Sequence, residues 1–261
     1  MDRDELDLRD DNALQGCILR VAPDVVINAA AYTAVDRAES EPKTAELINA
    51  QAPIVMARIT KQIDALLVHY STDYVFDGTA QRPYTETDTP SPINVYGRTK
   101  REGEVGIETV GGRYLILRTS WVFSRIGKNF LNTVLRLTDE RPSLSIVDDQ
   151  FGSPTYADDV AAATLEVIAA VAQSNRDLSG VYHMTAAGST SWCGFAREIV
   201  TQAGGVGASI RGITSIEYPT PAARPRYSVL SNDRLSAAFG ISLPPWQDGL
   251  ARCLADGDPV T

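Results

Sequence analysis

Tyr96 and Lys100 stand four residues apart in the stretch NVYGRTK. On a helix that spacing puts both side chains on one face, where an ammonium favours the ionised form of a neighbouring phenol. A phenol with an ordinary pKa of about 10 is protonated near neutrality and can hand its proton to a carbonyl oxygen as hydride reaches the carbon. Taken alone, the same spacing also fits the polar face of an ordinary helix.

A second stretch adds weight to the chemical reading. HYSTDYVFDG ends an apolar run with Ser71 and Thr72 and then turns through Asp73 and Tyr74. Ligands of open α/β sheets bind at the carboxyl ends of strands, so a hydroxyl there can meet the carbonyl that Tyr96 would protonate. Ser/Thr, Tyr and Lys together make a reductase triad. A third stretch, INAAAYTAVDRAE, ends a strand with small side chains from Asn28 to Ala31, which permit close approach by a flat cofactor. Trp121 offers an aromatic face and one N–H donor at a strand end, although a core role would suit an indole equally. Arg224 and Arg226 lie in a proline-rich loop, and either could supply positive charge to a pyrophosphate.

The elements that must hold these residues follow from apolar periodicity. Apolar runs alternate with amphipathic stretches, the pattern of a parallel sheet covered by helices. DVVINAA, ALLVHYST, YLILRTS and GVYHMT read as strands, with helices over about residues 44–61 and 94–108. NFLNTVLRL and DDVAAATLEVIAAVA read as helices flanking an extended SLSIVDD. STSWCGFAREIVTQAGG is a helix with a Ser or Thr N-cap and a glycine stop, and the glycines of AGGVGAS read as its C-cap and turn. Beyond about residue 208 the spacing is irregular until a short helix over about residues 246–254. ELDL reads as a first strand, followed by a helix containing Gly16. No glycine-rich turn precedes that helix, so the opening βαβ segment of a dinucleotide-binding sheet, with its phosphate-binding amides, is expected to be absent. Such a loss would expose a hydrophobic seam beside the neighbouring strands.

Composition narrows the class of protein. A chain of 261 residues with 44% hydrophobic residues can bury a substantial core. A formal charge of -9 argues against nucleic acid or an anionic membrane as partner. Cys17, Cys193 and Cys253 have no CxxC spacing and fit packing roles in a reducing compartment, so a cytoplasmic setting is expected. His69 and His183 lie in apolar strands without ligand spacing, and no transition-metal site is expected.

Several ordered motifs, DVVINAAAYTAVDRAESEP, STDYVFDG, PINVYGRTK, LRTSWVF, VDDQFGSPTYADDVA and EYPTPAARPRYSVL, resemble the extended short-chain dehydrogenases/reductases, within them the dTDP-4-dehydrorhamnose reductase family. The resemblance implies a Rossmann-like doubly wound α/β fold, with a truncated dinucleotide-binding domain over residues 1–125 and a smaller α+β substrate domain mainly over 126–261, some of whose segments return to the sheet. It implies reduction of a dTDP-linked 4-keto sugar by NADPH or NADH. Tyr96 would be the proton donor, Lys100 would hold the nicotinamide ribose, and Thr72 would orient the carbonyl. Asp73 and Trp121 would contact the sugar nucleotide, with Arg224 as a further substrate residue. Asp7 and Leu8 would lie beside the adenine, and Ala30, Ala31 and Thr33 would line the dinucleotide groove. A homodimer is the implied assembly. Mg²⁺ at a dimer contact would require more than Asp158, the one carboxylate near such a position, so no metal ligand is assigned. Two alternatives stay open: a reductase of another 4-keto deoxysugar nucleotide, and a noncatalytic regulatory or binding protein on the same scaffold.

Overall fold

Four aliphatic runs separated by helices assemble into one parallel sheet in the computed structural model, which describes residues 5–205 and 208–255. Helix α1 (Asp11–Val21), capped by the Asp10 carboxylate on the Ala13 amide, leads into β1 (Val25–Asn28). Then come α2 (Val35–Ser40) and α3 (Pro42–Glu46), which continues through a π-helical turn (Leu47–Gln51) into α4 (Ala52–Gln62). The single helix expected over residues 44–61 is thus interrupted. Pro53 has no amide hydrogen to give, and the wider turn before it accommodates the missing bond.

β2 (Leu66–Thr72), a 3₁₀ turn (Asp73–Val75), α5 (Val95–Val110) and β3 (Tyr114–Thr119) lie close to their expected bounds. The chain continues with β4 (Val122–Phe123), α6 (Phe130–Glu140), β5 (Ser143–Val147), β6 (Phe151–Gly152), β7 (Thr155–Tyr156) and α7 (Ala157–Gln173). Its last part comprises β8 (Gly180–His183), β9 (Thr190–Ser191), α8 (Trp192–Gln202), β10 (Ser209–Ile213), α9 (Asp233–Phe239) and α10 (Trp246–Ala255).

The main sheet has the order β1-β2-β3-β8, all parallel, while β5 pairs with β10, β4 with β7 and β6 with β9. Register sets Asn28 beside His69, Thr72 beside Thr119, and Arg118 beside His183. The strands are covered on both faces, as aliphatic parallel strands require. Leu66, Val68, Leu115 and Leu117 pack with Val160, Val167 and Leu235 on one face. Leu67 and Ile116 pack with Leu14, Met56 and Ile59 on the other. A separate cluster joins Leu131, Phe195, Ile199, Trp246 and Leu250 from α6, α8 and α10.

Two expectations need correction. ELDL forms turn and coil instead of a strand, and Leu6 and Leu8 pack against the cluster around Leu14. Short apolar runs can be held by packing without any strand partner. The region past residue 208 is more regular than its spacing suggests: β10 pairs in parallel with β5, and α9 ends on left-handed Gly240 at φ 71. β10 earns its place by pairing alone, since its periodicity is broken by Gly212. Gly204 and Gly205 follow α8 with φ of 110 and 69, as a C-cap and turn require. Val206 and Gly207 of that stretch, and residues 1–4 and 256–261, lie outside the described residues.

Candidate active site

The carboxyl end of β2 and the first turn of α5 bring the triad together. Asn94 starts α5 by accepting the Gly97 amide at 2.8 Å, and its own amide donates to Ala223 O at 2.8 Å. A Cβ at Gly97 would collide with the Tyr74 carbonyl, so glycine lets the helix start against the strand end. Tyr96 and Thr72 line the wall of one cavity. Thr72 Oγ1 donates to Asp73 Oδ1 at 3.1 Å and accepts the Tyr74 amide at 3.1 Å.

The phenol is not ionised by Lys100 as its spacing suggests. Burial raises the Tyr96 pKa, the nearby Thr72 hydroxyl opposes this and the Asp73 charge adds to it, so that the phenol is pushed up to about 12. Tyr96 therefore keeps its proton at neutrality, as an acid must. Lys100 Nζ instead donates to Tyr70 O at 2.6 Å and meets His69 Nε2 at 3.2 Å. Burial brings its pKa down to about 8, against the charge of Glu104. Burial also raises the Asp73 carboxyl to about 6, even though Ser228 and Thr72 hydrogen-bond it.

A cavity of about 640 Å³ opens between these groups, lined by Ala30, Ala31, Thr33, Thr72, Asp73, Tyr96, Lys100 and Trp121. Its small-residue wall leaves room for a flat ring, and Thr119 Oγ1, buried in the same wall, has no hydrogen-bond partner. A nicotinamide group with its ribose fits this combination of alanine surface, free hydroxyl and ammonium. Asp7 and Leu8 lie elsewhere: Asp7 is salt-bridged to Arg9 at 2.5 Å, Leu8 packs on the core, and neither lines the cavity.

Trp121 sits at φ 47, a left-handed conformation that is unfavourable for a bulky residue, and its ring stacks on Trp192 with centroids 3.5 Å apart. Trp192 and Phe130 separate this cavity from a second one of about 860 Å³, which Arg224, Arg211, Asp36 and Tyr74 help to line. Arg224 binds Asp36 through two hydrogen bonds of 2.9 and 2.8 Å, so a substrate anion would compete with that carboxylate. Arg226 is exposed and only 3.4 Å from Asp149. Asp158 accepts the Tyr156 hydroxyl, and among the described residues no group of three or more His, Cys, Asp or Glu side chains could hold a metal.

Sequence spacing missed several supporting residues. Asn49, in the π-helical turn, accepts the Tyr32 amide at 2.8 Å and donates to Thr99 at 3.2 Å, tying the alanine loop to α5. Glu104 and Arg118 pair beneath the helix, while Ser228 reaches Asp73 from a distant loop. Glu104 falls one turn after Lys100, a periodic signal that was available; no sequence signal links Ser228 to Asp73.

The chain is similar to known proteins over most of its length. The family model described as the RmlD substrate binding domain matches residues 1–258. A dTDP-4-dehydrorhamnose reductase of Burkholderia thailandensis is 48% identical over 264 residues, covering 97% of this chain and 89% of that protein. The protein of the same name from Escherichia coli K12 is 42% identical over 239 residues, covering 90% and 80% respectively. The crystal structure of dTDP-4-dehydrorhamnose reductase from Bacillus anthracis in complex with NADP superimposes with a TM-score of 0.93 at 35% identity, over 98% of this chain and 89% of that one.

Proposed function

Because the chain belongs to the dTDP-4-dehydrorhamnose reductase family, we propose that it reduces the C4 keto group of dTDP-4-dehydrorhamnose to give dTDP-L-rhamnose with NADPH or NADH. The observation that carries the reading is the hydroxyl pair of Thr72 and Tyr96 at the wall of a cavity that also holds Lys100 and the alanine surface. The fold is Rossmann-like α/β, in keeping with the solved relatives.

The nicotinamide, when bound, supplies the hydride. Tyr96 gives its phenolic proton to the C4 oxygen, which becomes a hydroxyl. Thr72 holds the phenol and carbonyl in register. Ala30, Ala31 and Thr33 bound the space for the cofactor, and Lys100 offers hydrogen bonds to its ribose. Asp73 and Trp121 orient the sugar, the first by accepting a hydroxyl and the second through its ring face. Arg224, once exchanged from Asp36, neutralises pyrophosphate charge. In this reading residues 1–125 mainly serve the cofactor and residues 126–261 mainly the nucleotide sugar.

No helix among the described residues is long and apolar enough to cross a membrane; Cys17, Cys193 and Cys253 are buried, in keeping with packing roles in the reducing, cytoplasmic setting of this reading. The assembly in this reading is a homodimer, to be checked by sedimentation. The decisive assay follows NADPH or NADH oxidation with dTDP-4-dehydrorhamnose and identifies the sugar product. Binding of the nucleotide sugar without oxidation by the folded chain would overturn the reductase reading in favour of a binding protein.

A further inference from the structure

His69 is fully buried on β2 and stands between two polar side chains. Its Nδ1 lies 2.9 Å from Asn28 Nδ2, and its Nε2 lies 3.2 Å from Lys100 Nζ. The donor and acceptor roles along this line constrain one another. The Ala30 amide donates to Asn28 Oδ1 at 3.2 Å, which turns the Asn28 NH₂ toward the ring. Nδ1 must then accept, and a neutral imidazole carries its one hydrogen on Nε2. That hydrogen points at Lys100. An ammonium has no lone pair to receive it, whereas a neutral amine does.

The opposite arrangement is equally defined. A protonated Lys100 donates both to Tyr70 O and to His69 Nε2. The imidazole hydrogen must then sit on Nδ1, and Asn28 must turn its amide oxygen to accept it. That turn releases the Ala30 amide, in a residue that lines the cavity beside Tyr96 and Lys100. Solvent supplies the proton taken up by Lys100; the imidazole exchanges one N–H for the other and remains neutral throughout.

We propose that Asn28 and His69 are positioning residues that couple the charge of Lys100 to the Ala30 amide: tied to Asn28 when Lys100 is an amine, free for a ligand when Lys100 is an ammonium. The proposal deepens the reductase reading and rests on it only for the identity of that ligand, a dinucleotide with oxygen acceptors. Linkage makes the effect reciprocal, so an acceptor bound to Ala30 favours the charged lysine.

The groups around the line allow this. Burial keeps His69 well below the usual imidazole range, so the ring stays neutral while Lys100 titrates at about 8. Glu104, one turn along α5, favours the ammonium but is itself bound by Arg118 from β3 and Arg101. Tyr96 lies one turn earlier on α5 and Asp73 in the 3₁₀ turn after β2, while Asn28 from β1 and Asn49 from the π-helical turn are uncharged. His183 on β8 faces Arg118 instead of Lys100.

The test is histidine-selective nitrogen-15 NMR, which in this chain reads only two imidazoles. His183→Gln assigns them. From about pH 10 down to about pH 6, across the ordinary titration range of a depressed lysine, His69 should pass from the Nε2–H to the Nδ1–H tautomer without forming imidazolium. The change should be centred near pH 8 and vanish in Lys100→Met. One tautomer throughout in the native chain, imidazolium formation, or a switch that survives Lys100→Met would overturn the coupling. These spectra need no substrate, so the two readings fail separately: an active reductase without the switch refutes only the coupling, and a switch without reductase activity refutes only the function.

Discussion

Glu104 and Arg118 close two hydrogen bonds of 2.8 and 2.7 Å between α5 and β3, with side chains 0% and 2% exposed. Arg118 also lies over the Phe76 ring at 5.2 Å. Burial raises the Glu104 pKa, but the hydrogen bonds and charge of Arg118 outweigh it and hold the carboxyl below its usual range. The pair therefore fixes the helix that carries Tyr96 and Lys100 through charge kept out of water.

Removing one partner strands the other. Glu104→Leu strips the buried Arg118 guanidinium of its two carboxylate hydrogen bonds, and should cost about 3 to 5 kcal/mol in chemical denaturation. The double variant Glu104→Leu/Arg118→Met should lose less than Glu104→Leu alone. Equal or greater loss in the double variant would show that the pair acts by shape and not by mutual charge compensation.

Tyr96→Phe removes the acid and little volume. Its turnover should fall about a hundredfold to ten-thousandfold, while dinucleotide affinity measured by calorimetry stays near that of the native chain. Full turnover in the folded variant would remove Tyr96 from the proton-donor role.

Asp73 gives a pH signature in stability. Its folded pKa, about 6, lies above its ordinary 3.8, so the protonated form is favoured by folding. The sign is that of a raised group: the contribution is complete below about pH 4 and is lost as pH rises through about 6, in total about 3 kcal/mol. Relative to Asp73→Asn, the native chain should lose stability over that window in urea melts at a series of pH values. A constant difference between the two would refute the raised pKa.

Gly152 supports the Trp121 ring. A Cβ there would come within 2.5 Å of the indole, closer than packed carbon atoms tolerate, so Gly152→Ala must push the ring off its stack with Trp192. The expected result is an altered tryptophan emission spectrum and a KM for the nucleotide sugar raised several-fold, with kcat reduced less. An unchanged KM despite the spectral change would separate Trp121 from substrate binding.

Much of the scaffold was legible because aliphatic strands and amphipathic helices write their periods directly into the chain. β2, α5 and β3 lie close to their expected bounds, and the Asn94 cap marks where α5 begins. β10 was illegible because a short strand interrupted by Gly212 acquires its conformation from pairing with β5. ELDL misled for the complementary reason, since alternation predicts a strand only where a partner edge is supplied.

The sequence by itself determined which groups could do chemistry: a phenol and an amine one helical turn apart, a hydroxyl at the end of a buried strand, and small residues where a ring could approach. Helical and strand periodicity fix such local neighbours before any folding. Only the tertiary structure decided their protonation and partners. It turned Lys100 toward His69 and the Tyr70 carbonyl, drew Ser228 onto Asp73, and occupied Arg224 with Asp36. Those contacts join residues distant in sequence, and the free energy of a buried charge depends on which groups the packed chain brings within hydrogen-bonding distance and how much water it removes.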